Sequence, residues 1–275
     1  MGSGLTAPAR VPAEHAERTA KRTRPPARQV VARPDEPGSE PGASPGIITD
    51  VSDDLRPAVA FGPDQPQRFL TAWLGPPSRD APESAASGPP AILARWHHQA
   101  DRWDPPVMRQ NHVPSSRRMD GDMLLVGIET QSVWLWGVPD GGGNPPVWER
   151  ENTPGAGWTP TGERLDEFLW HFTLVEAIFG GRYGLGAIDV SPADVARFTT
   201  AWTALPVKPW RWPGPDQALW TRSGLLAWTM VNDWPDSPIT DASTYSIFVG
   251  ARSNQDLTHA DDAGIAWDTD PRYKP

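Results

Sequence analysis

The sequence predicts an α+β fold with a central, mostly antiparallel sheet flanked by helices, behind a disordered N-terminal tail. Short apolar runs rich in strand-forming residues cluster in the middle of the chain and again near its end. Segments with helical spacing stand before, between and after these runs, without the regular strand–helix alternation of a parallel sheet. The chain of 275 residues is long enough to bury a sizeable core.

The tail is predicted from a change in composition near residue 60. Residues 1–60 contain no Phe, Trp or Tyr, whereas all 15 Trp lie between Trp73 and Trp267. Such a segment buries too little apolar surface to offset the entropy lost on ordering. We therefore predict a disordered Pro/Ala/Arg-rich tail over 1–60 and a folded domain over 61–275.

The net charge also differs between the start of the chain and the rest. Residues 1–33 hold seven Lys or Arg against two Asp or Glu, so the net charge of −9 leaves −14 on residues 34–275. A basic tail could contact an acidic partner or simply be solvated. The strongly acidic body argues against direct binding to a nucleic-acid backbone.

Two helices are predicted ahead of the strands. Residues 66–74 place Phe69 and Trp73 on one face, which is typical of a short amphipathic helix. Residues 90–103 predict a second helix, because their apolar side chains recur at helical spacing and proline suits a first helical turn. Residues 104–106 end this helix, since they contain two consecutive prolines.

The middle of the chain predicts a β-hairpin and a third strand. Residues 123–128 and 133–138 are short apolar runs joined by a polar stretch, which is typical of paired antiparallel strands. Residues 146–150 predict the third strand, with proline at the first position, where a missing N–H matters least. Two further strands are predicted over 225–231 and 245–250.

The longest helix is predicted over 162–179. Thr161 is a suitable N-cap, and Glu163 would lie in the first turn near the positive end of the helix dipole. Two glycines at 180–181 supply a C-terminal stop. A last short helix is predicted over 254–262. The apolar stripe of the long helix consists of Leu165, Phe168, Leu169, Phe172, Val175 and Phe179.

No motif in the sequence indicates catalysis, a cofactor or a metal ion. The chain has no Cys, which excludes disulfides, thiolate zinc sites and a Cys nucleophile. It contains no Walker pattern, no His-Glu-x-x-His and no Gly-x-Ser-x-Gly. The glycines of 180–186 resemble a phosphate loop, but they follow a predicted helix rather than a strand. We also find no secretory signal and no membrane-spanning segment, and we expect a cytoplasmic protein.

Tryptophan has two interpretations in this chain. Its faces stack on sugars, so a Trp-rich domain could be a carbohydrate-binding module. It also fills cores, and strand alternation places Trp134 and Trp136 on one face of their strand. We assign these two residues to the core, together with Trp148 and Phe168.

Several segments together resemble the SMI1/KNR4 (SUKH) family, in the form seen in actinobacterial members. The resemblance covers roughly residues 66–267 and excludes the tail. Thr130 stands where the family usually has Asn. The segments that carry it are Glu129-Thr-Gln131-Ser-Val-Trp134-Leu-Trp136-Gly137, Pro145-Pro-Val-Trp148, Trp158, Phe168-Leu169, the helix with Trp96, Gln110-Asn111-His112, Pro209-Trp-Arg-Trp-Pro-Gly214 and Phe248-Val-Gly-Ala-Arg252.

The resemblance implies an α+β interaction protein without catalytic residues. Many bacterial members are immunity proteins that bind and neutralise a toxin, often a nuclease or deaminase, and eukaryotic members resemble regulatory scaffolds. We therefore expect a protein partner, a basic toxin domain, which an acidic surface would attract. The oligomeric state stays open. The expected partner-binding residues are exposed acids near the sheet: Asp120, Asp122, Glu129, Asp140 and Glu149.

Overall fold

A computed structural model gives the fold of the chain, which is α+β as the sequence predicts. The predicted tail over 1–60 lies outside the residues that the structure describes. The described residues form five helices and two five-stranded antiparallel sheets. The strands thus divide between two sheets, where the sequence suggested one central sheet. The described ranges are 65–80, 90–103, 111–181, 183–233, 238–240, 242–261 and 264–268.

The first sheet is a meander in which each strand pairs with the next along the chain. The predicted hairpin and third strand are confirmed, with bounds that differ by about one residue. β5 is a correction, because its residues were divided between a loop and the start of a helix in the prediction. The strands are β1 (Met119–Asp120), β2 (Met123–Ile128), β3 (Trp134–Pro139), β4 (Pro146–Glu151) and β5 (Thr159–Arg164).

The second sheet has the order β6-β10-β9-β8-β7. The last strand of the chain therefore lies between β6 and β9, and its seven residues pair with all seven of β9. The sequence predicted β9 and β10 but not the other three strands. The strands are β6 (Tyr183–Val190), β7 (Thr203–Ala204), β8 (Ala218–Arg222), β9 (Leu225–Val231) and β10 (Tyr245–Ala251).

Five helices accompany the sheets. The first two agree with the predicted helices, the last covers only the C-terminal half of the range 254–262 predicted for it, and the fourth was not predicted. Ser191 caps the fourth helix by accepting the backbone N–H of Asp194, and a proline follows it at the first helical position. The helices are α1 (Gln65–Leu74), α2 (Ala91–Ala100), α3 (Leu165–Gly180), α4 (Pro192–Thr199) and α5 (Thr258–Asp261).

The predicted start of the long helix is wrong. Thr161 does not cap a helix, because its hydroxyl donates to the carbonyl O of Val147 across the β4–β5 pair. The helix begins at Leu165, where the Glu167 carboxylate accepts the backbone N–H of Arg164 and closes a capping box. Glu163 therefore belongs to β5 and not to the first helical turn.

α3 is the central element of the described domain. It contacts α1, α2, two strands of the first sheet and two of the second. Its buried residues include His171, Thr173 and Glu176 as well as the predicted apolar stripe, except for Phe179, which is only partly buried. A helix that is enclosed on all sides has no solvent face, so its polar side chains must find partners inside the protein.

The backbone of α3 lies very close to the second sheet at Gly250 of β10. A Cβ at this position would stand 2.7 Å from Cα of Ile178 and 2.9 Å from its carbonyl O. Only glycine allows this contact, because backbone atoms cannot move aside like the end of a flexible side chain. The helix therefore lies directly on β10.

Two apolar clusters form most of the core. The larger joins α1, α2 and α3 to the inner faces of both sheets, and Trp134, Trp136 and Phe168 lie in it as predicted. The smaller lies between the other face of the second sheet and α4, with Phe198 and Trp202. The prediction for Trp148 holds less well, since this side chain is only half-buried.

Candidate functional site

Three aspartates meet at one end of the second sheet. Asp189 lies near the end of β6, Asp216 precedes β8, and Asp233 follows β9. These positions lie at the same end of the sheet because neighbouring strands run in opposite directions across the order β6-β10-β9-β8. We call this group, Asp189, Asp216 and Asp233, the acidic end of the second sheet.

Three consecutive hydroxyl side chains at the start of β10 hold the acidic end together. Ser243 Oγ donates to Asp233 at 2.6 Å. Thr244 Oγ1 donates to Asp189 at 3.2 Å. Tyr245 donates its phenol O–H to Asp216 at 3.0 Å. The aspartates come from β6, from the segment before β8 and from the segment after β9, so a single tripeptide fixes the position of all three carboxylates.

The backbone at two of these aspartates is also specialised. Asp189 has φ of 60° and Asp216 has φ of 53°, both in the left-handed region that aspartate tolerates better than most residues. Asp189 lies at an irregularity in the β6–β10 pairing, between Ala187, which pairs with Ile247, and Val190, which pairs with Tyr245. A β-bulge at a sheet edge turns its side chains outward. Asp189 and Asp216 are accordingly exposed.

The charge of the acidic end is not balanced locally. In the part of the chain that the structure describes, none of the three aspartates forms an ion pair with Lys, Arg or His. Burial and the neighbouring Asp216 raise the pKa of Tyr245 above its usual value of 10.0. The phenol thus stays protonated and keeps donating to the carboxylate at ordinary pH.

Three of the predicted partner-binding acids lie together at one end of the first sheet. The backbone N–H of Asp140 donates to the carbonyl O of Asp122, and Asp120 lies across the β1–β2 turn. Arg150 forms an ion pair with Asp120 at 2.7 Å, and Arg117 pairs with Asp140. Their charge is therefore largely balanced by arginines, unlike the charge of the acidic end.

Glu129 is not the exposed acid that the sequence predicted, since only 8% of it is accessible. Its carboxylate accepts the backbone N–H groups of Gln131 and Val133 in the β2–β3 turn. These turn amides have no strand partner, and a carboxylate satisfies them. Glu129 is thus a turn-stabilising residue.

Glu149 is also buried, with 1% of its surface accessible, so the prediction of an exposed acid is again wrong. It accepts the indole N–H of Trp134 at 3.1 Å and the backbone N–H of Arg211 at 3.2 Å. Burial raises its pKa above the usual value, against the lowering effect of these hydrogen bonds. Trp134 and Arg211 cover the face of β4 that carries Glu149, so this face is closed to solvent.

A second buried carboxylate, Glu163, was missed as a core residue by sequence reasoning. It accepts the indole N–H of Trp210 at 2.7 Å, and its other oxygen lies 3.0 Å from Nδ1 of His171. Glu149 and Glu163 therefore both secure the Trp- and Pro-rich segment that precedes β8. The signal in the sequence is this segment itself, Pro209-Trp-Arg-Trp-Pro-Gly214, whose indole and backbone donors need buried acceptors.

A small cleft lies beside Glu163. Glu163, Glu167 and Trp170 line one side, and residues 205–208 line the other. Its volume is about 110 Å³. Lys208 lies in this wall and donates its ammonium to the carbonyl O of Gly162. The cleft thus combines two carboxylates, one ammonium and an apolar surface.

The described residues give little support to the alternative kinds of site. No tryptophan among them is exposed, so no row of open indole rings is present there. They contain no group of three or more His, Asp or Glu placed to hold a metal ion. None of the helices they form is long and apolar enough to span a membrane.

Comparison with known proteins found no relative. No family model matches the chain, and no curated protein or solved structure matches it either.

Proposed function

We propose that this chain is a non-enzymatic interaction protein that binds and neutralises a basic toxin domain. The resemblance to SMI1/KNR4 immunity proteins suggests this role, and the acidic end of the second sheet is the observation that supports it most directly. It presents Asp189, Asp216 and Asp233 in fixed positions, without ion-pair partners in the described residues.

Electrostatics links this surface to a basic partner. Residues 34–275 carry a net charge of −14. Unpaired surface carboxylates speed the encounter with a positively charged protein and disfavour negatively charged ones. Asp120, Asp122 and Asp140 form a second proposed contact region, of weaker charge because arginines pair with two of them.

The test uses the full chain and the product of the neighbouring open reading frame, which the proposal predicts to be a basic toxin. We expect co-expression of the chain to restore the growth of cells that express the toxin. We also expect the two proteins to form a complex, and the rate of their association to fall as the salt concentration rises. Replacing the three aspartates by asparagine keeps the hydrogen-bond acceptors but removes the charge, so association should slow further. Asp101→Asn, at an exposed position after α2, is the matched control.

Two results would contradict the proposal. One is a neighbouring gene product that neither binds the chain nor harms cells. The other is a complex whose association rate responds neither to salt nor to the triple Asn variant.

A further inference from the structure

The cleft beside the start of α3 has room for the end of one side chain. It measures about 110 Å³ and opens between α3 and the segment that follows β7. One water needs roughly 10–15 Å³ on this scale, so the cleft takes several waters or one extended side-chain end. This size suits a residue of a partner better than a nucleotide or another cofactor.

Negative charge exceeds positive charge on the wall of the cleft. Glu163 is 3% accessible, and its hydrogen-bond partners are Trp210, which is neutral, and His171, which is positive only when protonated. Across the described ranges no Lys or Arg forms an ion pair with Glu163 or Glu167. A buried carboxylate without a permanent counter-charge is stabilised by a cation placed beside it.

The mouth of the cleft already holds one ammonium group, that of Lys208. Its Nζ donates to the carbonyl O of Gly162, the residue that precedes Glu163. The hydrogen bond of Lys208 is thus to backbone and not to the Glu163 or Glu167 carboxylate. Both oxygens of Glu163 are already hydrogen-bonded, to His171 and Trp210, so Glu163 acts on a cation through its charge, and Glu167 is the carboxylate that can contact one. An entering cation is attracted by the charges of Glu163 and Glu167 and is opposed by the one ammonium of Lys208.

The remaining wall suits an aliphatic stem. Leu205, Val207 and the indole of Trp170 line it. Lysine and arginine combine such a stem with a charged end, and indole faces attract cations. We propose that the cleft is an anchor site for one lysine or arginine side chain of a protein partner. The partner rests on the proposed function, whereas the preference for a cation rests on the cleft alone.

The test measures the cleft directly with small probes. The full chain is labelled with 5-fluorotryptophan, and the ¹⁹F resonance of Trp170 is assigned through Trp170→Phe. The probes are the N-acetyl methylamides of arginine, lysine, norleucine and glutamate. We expect the two cationic probes to shift the Trp170 resonance saturably and the neutral and acidic probes to leave it in place.

Two variants separate charge from shape. Glu167→Gln keeps an oxygen for the Arg164 N–H, so the capping box persists while one charge is lost. Glu167→Gln should lower the affinity of the chain for the cationic probes by roughly threefold, as expected when a partly exposed ion pair is lost. Lys208→Met removes the opposing positive charge and should raise the affinity for the cationic probes by roughly twofold. Unchanged positions of the other tryptophan resonances show that each variant is folded.

Three outcomes would overturn the inference: equal binding of norleucine and lysine probes, preference for the glutamate probe, or no response to either cationic probe. The complex gives an independent outcome. If a toxin partner binds and Glu167→Gln leaves its affinity unchanged, the anchor site is wrong and the proposed function stands. If the probes bind as expected and no toxin partner forms a complex, the proposed function is wrong and the cation site stands.

Discussion

The ring of His171 lies stacked on the indole of Trp210, with centroids 3.9 Å apart and planes 30° from parallel. Both rings also bind Glu163, one at each carboxylate oxygen. The three side chains come from α3, the segment before β8, and β5 respectively. Glu163 thus joins the central helix to both sheets through one buried group.

Removing this carboxylate should destabilise the whole domain. Glu163→Ala leaves the Trp210 N–H and His171 without their acceptor in a buried site, which we expect to cost about 3 kcal/mol. Glu163→Gln retains one acceptor oxygen and should cost less. Urea denaturation followed by fluorescence measures both values. Equal loss in the two variants would contradict this expectation, because it would show that the volume and acceptor oxygen that Gln retains do not stabilise the fold.

Gly250 should tolerate no side chain. Gly250→Ala places a methyl group against the backbone of Ile178, so α3 must shift away from β10, at a cost of about 3 kcal/mol. Gly141→Ala is the control, because a Cβ there meets nothing within 4 Å and should change stability by less than about 0.5 kcal/mol. Similar denaturation midpoints for both variants would refute the close approach of helix and strand.

The free energy of unfolding should depend on pH through the titration of Glu149. Because burial raises the pKa of Glu149 in the folded state, that state binds the proton more tightly than the unfolded chain. The contribution of Glu149 to stability is therefore full below its ordinary pKa of 4.5 and is lost as pH rises through the folded value.

The measurement for Glu149 compares the wild-type chain with Glu149→Gln across this pH range. The free energy of unfolding of the wild type should fall relative to the variant as pH rises, while effects of all other groups cancel. A constant difference between the two chains at every pH would contradict the raised pKa.

Tyr245 should titrate above its usual pKa, and Asp216 should be one cause. The protein has only three Tyr, so absorbance at alkaline pH can resolve this phenol with Tyr245→Phe as the reference. Asp216→Asn removes the nearby negative charge and should lower the pKa of Tyr245 towards 10.0. A pKa that stays the same in Asp216→Asn would mean that burial alone raises it.

The elements that the sequence predicted well share one property. β2, β3, β9 and β10 are apolar runs buried on at least one face, so composition alone distinguishes them from loops. α3 was located by its apolar stripe, although its first turn was placed three residues too early. The error arose because β5 runs directly into the helix without an intervening loop.

Two of the missed elements, β5 and β6, have a local sequence that contradicts their structure. β5 has the sequence Thr-Pro-Thr-Gly-Glu-Arg, which is typical of a turn, and pairing with β4 holds it extended. β6 contains two glycines, which are typical of a loop. α4, in contrast, carried a usable signal in Ser191-Pro192, an N-cap followed by proline.

The acidic end could not be found from the sequence for a topological reason. Asp189, Asp216 and Asp233 are separated by more than forty positions in total, and no spacing rule connects them. They meet only because β10 inserts between β6 and β9. Glu129 and Glu149 were misassigned for a related reason, since sequence gives the charge of a side chain but not the side of the sheet it faces.

The position of Ser243-Thr244-Tyr245 at the entry to β10 has an entropic consequence. Paired neighbours border this strand on both sides, and α3 presses on its other end at Gly250. The three carboxylates are thus ordered before any encounter, and a partner loses little freedom by meeting them. Recognition at this surface should therefore resemble the docking of two rigid bodies, with affinity set by how well the partner's cations match a fixed pattern.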